Sequence, residues 1–501
     1  MTRGFDVVVV GSGPNGLASA VVCAAAGLSV HVLEAQSQPG GGCRTEELDL
    51  GTPLRHDLCS AVHPMAVASP FFQRFKLPQR VRFGVPTVSY AHPFEDGPAG
   101  IAYRDLDRTA DELNEIDPSE ARLWRRVMAP LVDSVEVVRD IGLSDMRSLP
   151  AGLFTPKGVL GAGAMAGRAV ELGTSLWDRV TDTEYAGAML TGIGAHANTA
   201  LPSFAAAGTA LLLGTLAHSH GWPIPIGGAQ AIIDALIDDL RARGATVACG
   251  RAVMSAADLP PARVYMFDTA PGALADVFGD QLSARYRRSL RRFGPGNGVA
   301  KVDFALSGPV PWADARIADA GTVHIGGTRA QMTHAEADTT AGRHSPTPVI
   351  LLSQPTVADE TRFGSGGSLP LWTYAHVPNG STRDMTETIT ARIERFAPGF
   401  RDVVIGSRCI PASEMAHHNA NYVGGDIAAG RVSLFRMAAR PMAKWNPYRT
   451  SKDNVYLCSA GTPPGPGVHG MSGLHAASRV LDEQFGIRTM PDLSPSSQPR
   501  V

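Results

Sequence analysis

The sequence has too few cysteines, and too widely spaced, to build a covalent or metal framework. Cys23, Cys43, Cys59, Cys249, Cys409 and Cys458 include no CxxC pair and no histidine at zinc-finger spacing. A disulfide scaffold, a structural zinc and a thioredoxin-type redox pair are therefore not expected, and reduced thiols in a cytoplasmic setting are. No metal site is predicted: His417 and His418 are adjacent, which keeps their side chains from converging on one ion. An excess of charge of either sign is missing too. Lys and Arg total 45 against 47 Asp and Glu, a net charge of -2, so no broad basic field exists to hold a nucleic acid as main partner. Long apolar runs are also lacking. Residues 186–217 are interrupted by His196, Asn198, Pro202 and Ser203, short of the ~20 clean residues that span a bilayer. Only Arg3 adds charge ahead of the strand-like run at Phe5, too little for a signal peptide.

What is present is a large core and many turns. Hydrophobic residues make up 44% of the 501, with 54 Gly and 37 Pro and no fixed repeat, which fits two or three packed units. The β-branched run 6–10 reads as a strand buried on both faces, residues 14–26 as a helix, and 28–33 as a second strand, a βαβ unit. At its turn lies Gly11-Ser12-Gly13-Pro14-Asn15-Gly16, a G-x-G-x-x-G. The three glycines serve the tight turn, close approach of a phosphate and close helix packing, and the helix N-terminus receives a pyrophosphate. Glu34, followed by Ala35, stands where an acid accepts hydrogen bonds from an adenosine ribose.

Two further glycine-rich segments bear on the cofactor. Gly41-Gly42-Cys43-Arg44-Thr45 supplies unhindered amides and a guanidinium where a longer dinucleotide continues past its pyrophosphate. Near the C-terminus, the turn containing Gly461, Gly467 and Val468 leads through His469 into a helix at Met471, whose positive end would favour an anionic reduced flavin. Elsewhere, 105–149 is helical in period, while 152–169 and 186–216 are poor in charge and fit either buried helices or a surface that meets lipid. Short strands recur at 299–305, 322–325, 349–352 and 371–376, predicting an antiparallel sheet in a second unit. The Ser- and Pro-rich tail 491–501 is expected to be loose.

These motifs, together with Arg55-His56-Asp57, Ser60-Ala61-Val62-His63-Pro64, Gly221-Trp222-Pro223, Gly227-Gly228 and Ala375-His376-Val377-Pro378, resemble the phytoene desaturase-like flavoproteins. Within these the chain is most similar to the branch containing the pyridine nucleotide-disulfide oxidoreductase domain-containing protein 2 group. The resemblance implies an α/β fold. Its Rossmann-type, glutathione reductase-like FAD-binding domain would be built from 1–85, 222–275 and 441–490. An inserted α+β substrate domain, 86–221 and 276–440, would carry the mainly antiparallel sheet. It also implies FAD as cofactor, a contact from Val253, and desaturation of a carbon–carbon bond as the typical reaction. The chain lacks a second flanked G-x-G-x-x-G, so oxygen, a quinone or the organic substrate is the expected electron partner rather than a nicotinamide.

His469 is the candidate for proton transfer, because imidazole titrates near neutrality; a role in holding its own loop is the alternative. His56, His63 and Trp372 are candidates for the substrate side. The leading reading is hydride transfer with an apolar small molecule. Amine or alcohol oxidation, redox-neutral isomerisation and a flavin-stabilised interaction protein are the alternatives, and peripheral membrane contact is compatible with the charge-poor region.

Overall fold

The computed structural model describes residues 4–145, 147–180, 183–433, 436 and 439–495. The opening β-branched run forms the strand Phe5–Val10 at the centre of a five-stranded parallel sheet, in the order 455–457, 262–267, 5–10, 30–33, 246–248. Val7, Val8 and Val9 are fully buried, as required of a strand covered on both faces. Val7 and Val9 meet the helices Pro14–Ala25, Gln230–Ala242 and Met471–Phe485, whereas Val8 and Val10 meet Leu274 and Phe278 of the helix Pro271–Phe278. Three distant stretches of chain supply this sheet, so the chain leaves the unit and returns to it twice.

The second sheet has seven strands, ordered 404–410, 298–306, 369–377, 350–353, 320–325, 88–92, 100–103. All neighbours are antiparallel except the parallel pair of Ala320–Ile325 with Val88–His92. Its two faces differ in kind because side chains alternate along each strand. Val302, Phe304, Leu371, Leu352 and Val323 form one core with Ile389 and Ile393 of the helix Thr386–Phe396. The alternate positions form rows across the other face. Trp372 stands opposite Ser353, Ser353 opposite Thr322 and Thr322 opposite Tyr90; two residues along, Tyr374, Leu351 and His324 line up in the same way. This polar and aromatic face is turned towards the parallel-sheet unit.

The charge-poor helices Tyr185–Ala195 and Phe204–Ser219 are buried along most of their length, so the apolar stretch 186–216 is core. The preceding charge-poor stretch is not. Phe154, Val159 and Leu160, around the start of the helix Pro156–Gly173, are 75, 60 and 75% exposed. No helix among the described residues is long and apolar enough to cross a membrane.

The expectation of a loose tail from residue 491 is corrected for its first residues. Leu493 is buried, its carbonyl accepts a hydrogen bond from Arg80, and the Ser494 carbonyl accepts one from Arg243. Residues 496–501 of that expected tail lie outside the described residues.

Candidate functional site

The glycine loop is shaped by close backbone approach. Gly11 has φ +97°, a Cβ at Gly13 would lie 2.6 Å from an Asp268 carboxylate oxygen, and one at Gly16 would lie 2.3 Å from the Gly11 carbonyl oxygen. Only glycine fits these positions. The helix Pro14–Ala25 starts at this loop, so its free amides and positive end face the space beside Ser12, Gly13, Pro14 and Asn15. Two acids frame the loop. Glu34 accepts from the amide and the hydroxyl of Ser12 and, at its other oxygen, from the Gln36 amide. Asp268, at the end of the strand Ala262–Phe267, accepts from the Gly16 amide at 2.9 Å. Burial raises the Asp268 carboxyl to about 7, opposed by that hydrogen bond and reinforced by Glu34, so this acid is part-protonated near neutral pH and adds less negative charge behind the loop than an ordinary carboxylate.

A cavity of about 900 Å³ begins at this loop and continues to the polar face of the second sheet. Its dinucleotide end is lined by residues 11–15, by Glu34 and Ala35, and by Val253, whose segment is tied back through the Arg251 amide to the Glu34 carbonyl at 2.8 Å. Its middle is lined by Gly41, Gly42, residues 60–65 and the turn containing Gly467, Val468 and His469. Gly42 has Tyr422 against it, with the phenol oxygen only 1.9 Å from where a Cβ would be, and Gly467, at φ +139°, has Met65 at 2.4 Å in the same sense. Backbone thus comes close to whatever fills the middle.

Several residues expected to touch a cofactor instead build the walls and do not line the cavity. Arg44 donates to the Gly41 and His418 carbonyls, at 3.2 and 2.5 Å, and locks the loop shape. The Thr45 hydroxyl donates to Asp57 at 2.6 Å and accepts from the Gln230 amide. Gly461 packs on Pro271, and Met471 belongs to the core around the first helix. Gly16 lies just behind the cradle, excluded from the lining by its own tight packing.

The histidines separate by what their nitrogens already do. His469 accepts from the Met471 amide at Nδ1, 3.0 Å, and its Nε2 donates to the Gly465 carbonyl, 3.1 Å. Both ring nitrogens are spent on the loop, and burial lowers its pKa to about 4, so the expectation of proton transfer by His469 is corrected to a loop-holding role. His56 is also corrected: it is buried outside the cavity, 3.3 Å from Asp303, which is paired with Lys301 beside Trp372. His63 and Trp372 do line the cavity. Burial lowers the His63 pKa to about 4, which leaves it neutral at physiological pH.

The sequence did not single out Asp268, His196 or Asn198 as site residues. Asp268 carried a signal as the polar residue that ends the strand Ala262–Phe267 facing the glycine loop. His196 and Asn198 carried one as the polar breaks in an otherwise apolar stretch, where burial makes a polar side chain informative. Among the described residues no group of His, Cys, Asp or Glu is arranged to hold a metal ion.

Residues 9–75 match the model of the NAD(P)-binding Rossmann-like domain. The Rattus norvegicus pyridine nucleotide-disulfide oxidoreductase domain-containing protein 2 is 23% identical, over 95% of this chain and 93% of its own. An uncharacterized protein of Mycobacterium tuberculosis is 25% identical, over 96% of this chain and 97% of its own. Among solved structures, putrescine oxidase bound to putrescine superposes with a TM-score of 0.59 at 15% identity, covering 96% of this chain and 99% of the other, a likeness of fold. The chain thus carries a dinucleotide-binding Rossmann-like domain at residues 9–75 and is similar along nearly its whole length to pyridine nucleotide-disulfide oxidoreductase domain-containing protein 2.

Proposed function

We propose that the chain is an FAD-dependent oxidoreductase that exchanges hydride with an uncharged, largely apolar small molecule. The observation that carries this reading is the continuity of the cavity from the glycine loop to the wall built by Trp372, Tyr374 and Leu351. A dinucleotide cradle and an aromatic pocket share one space. The residues fit FAD: the backbone of Gly11–Asn15 lines the cavity at the start of a helix, Glu34 lines it beside Ser12 where an acid would take a ribose, and a second glycine loop at Gly41 and Gly42 continues the groove. FAD supplies the two-electron chemistry when bound. The protein positions the substrate and excludes water.

Among the described residues, the carboxylates lining the cavity are Glu34, Asp145, Asp268 and Asp276. Three of these belong to the parallel-sheet unit, and Asp145 is paired with Arg479 at 3.3 Å. The wall from the second sheet offers no counter-ion for an ammonium group, which favours an uncharged substrate, with desaturation of a carbon–carbon bond and reoxidation by oxygen or a quinone. The likeness of fold to putrescine oxidase favours amine oxidation as a second reading. An absorbance spectrum of the purified protein, acid release of the cofactor, and anaerobic addition of uncharged and amine substrates test both. Released FAD whose bound form bleaches with uncharged compounds supports the first reading; bleaching only with amines moves the assignment to the second, and a protein unable to take up FAD ends both.

The same reading takes a lipid surface as the source of substrate. Leu149 and Met165 line the cavity, and the exposed Phe154, Val159 and Leu160 lie between them in the chain. Flotation with liposomes is expected for the wild type and reduced for Phe154→Ser with Leu160→Ser; a wild type that never floats removes this partner.

A further inference from the structure

The helix Ala284–Arg292 carries arginine at 285, 287, 288, 291 and 292, and these divide into two sets. Arg287 pairs with Asp280, and Arg291 with Asp276 at 3.2 Å. Arg285, Arg288 and Arg292 are exposed and have no ion pair among the described residues. Tyr286 and Leu290 form the buried side of the helix, so the three unpaired arginines, spaced i, i+3 and i+7, make one row along its outer side.

A fourth exposed arginine joins the row from a distant part of the chain. The Arg431 amide donates to the Gly294 carbonyl at 3.2 Å, and Arg436 donates to the Phe293 carbonyl and, at 3.0 Å, to the Arg292 carbonyl. Both are thereby held at the C-terminal end of the helix. Burial, and then Arg431, lower the Arg436 pKa, as crowded guanidiniums do. The nearby Asp426 is buried and accepts from the Gly296, Ala428 and Gly430 amides, so its charge is spent inward on backbone.

The row borders the cavity and the apolar surface beyond it. Ala428, Ala429 and Val432, on either side of Arg431, line the cavity, and so does Met165 of the helix Pro156–Gly173. The Val432 carbonyl accepts from the Thr199 hydroxyl at 3.2 Å. Phe204, at the start of the helix that follows Thr199, packs against Gly173, where a Cβ would lie 3.1 Å from the Phe204 backbone. Val159, Leu160 and Val170 are exposed on the helix that Gly173 ends. A cationic surface and an apolar surface thus flank one cavity. A bilayer with anionic headgroups complements both, with phosphates for the guanidiniums and acyl chains for the apolar residues. A nucleic acid or an acidic protein complements only the first, and the net charge of -2 supplies no wider field to hold either.

We infer that Arg288, Arg292 and Arg431, with Arg285 behind them, form a cationic lip that seats the protein on a membrane of anionic phospholipid beside its cavity. This rests on the lipid-surface reading above and narrows it from any lipid surface to an anionic one. Exposed arginines next to an anionic bilayer each strengthen binding by about fivefold, an effect that salt screens.

The test is flotation of the full chain with vesicles of phosphatidylcholine alone and with vesicles in which about a third of the lipid is phosphatidylglycerol. At low ionic strength the anionic vesicles should bind the wild type at least about tenfold more tightly, and high salt should remove the gain. Arg288→Gln, Arg292→Gln and Arg431→Gln combined should abolish most of that gain and leave binding to phosphatidylcholine unchanged, with folding checked by the melting temperature. Arg241→Gln, Arg383→Gln and Arg488→Gln combined, exposed arginines on other elements, remove the same charge and should keep most of the gain. Equal binding to the two kinds of vesicle, a gain untouched in the first variant, an equal loss in both variants, or tighter binding to duplex DNA or polyglutamate than to the anionic vesicles overturns the lip. Failure of the lipid-surface reading is seen separately, as absence of flotation with either kind of vesicle, and it overturns the lip with it.

Discussion

Gly473 lies directly against Asn15: a Cβ there would come within 2.0 Å of the Asn15 carbonyl oxygen and 2.9 Å of the Ser19 amide nitrogen. The helix Met471–Phe485 can therefore seat on the helix Pro14–Ala25 only through glycine, and this contact holds the C-terminal turn 463–469 over the middle of the cavity. Gly473→Val should overpack the crossing and cost about 1–3 kcal/mol or more. Thermal melts with and without added FAD check it. A lower melting point with the FAD-induced stabilisation also diminished is expected; an unchanged pair of melts would show that the helices separate freely.

Glu34 receives both the amide, at 2.9 Å, and the hydroxyl, at 2.5 Å, of Ser12. Glu34→Gln removes the charge and reverses the polarity of one of the accepting atoms. Affinity for FAD, measured by fluorescence titration of the apoprotein, should fall roughly tenfold, the equivalent of about 1.4 kcal/mol. If affinity is retained, Glu34 only braces the loop.

Asp268 supplies a pH dependence whose sign follows from its raised pKa. The folded state holds the proton up to about 7, against 3.8 in the unfolded chain, so between those values the folded state binds more protons. Stability from this group is full below about 3.8, falls as pH rises, and levels off above about 7. Asp268→Asn keeps an acceptor for the Gly16 amide and removes the titration. Urea unfolding of wild type and variant at several pH values should show a stability difference that grows from pH 4 to 7, by on the order of a few kcal/mol. A pH-independent difference would refute the assignment.

His469 acts in the opposite pH direction. Burial depresses it from 6.5 to about 4, so the stability it permits is complete above 6.5 and is lost as pH falls towards 4. Because both ring nitrogens serve the loop, His469→Asn should lower the melting temperature yet leave the apparent pKa values of the pH–rate profile in place. Disappearance of a limb of that profile would return His469 to the chemistry.

The glycine loop, Glu34, the strands at 322–325 and 371–376 and the helix starting at Met471 were legible because each follows from local rules: glycine where the backbone needs room, alternation in strands, a periodic face in helices. The roles of Arg44, Thr45 and His56 were not. Each is a polar residue in the right segment, but what its nitrogens or hydroxyl bind is fixed by partners as distant as His418, Asp57 and Asp303.

The sequence by itself determined the dinucleotide cradle and the shortage of charge in the helical region, since both depend on residue type and short spacing. Tertiary structure alone decided which polar groups face the cavity. Trp372, Thr322 and His196 come from two strands and the end of a helix, and they share a wall only because strand register sends Trp372, Ser353 and Thr322 to one face and the helix Tyr185–Ala195 packs His196 against His324. The register is set by which face of the sheet the apolar core buries. That is a property of the whole assembled sheet, beyond the reach of any one segment.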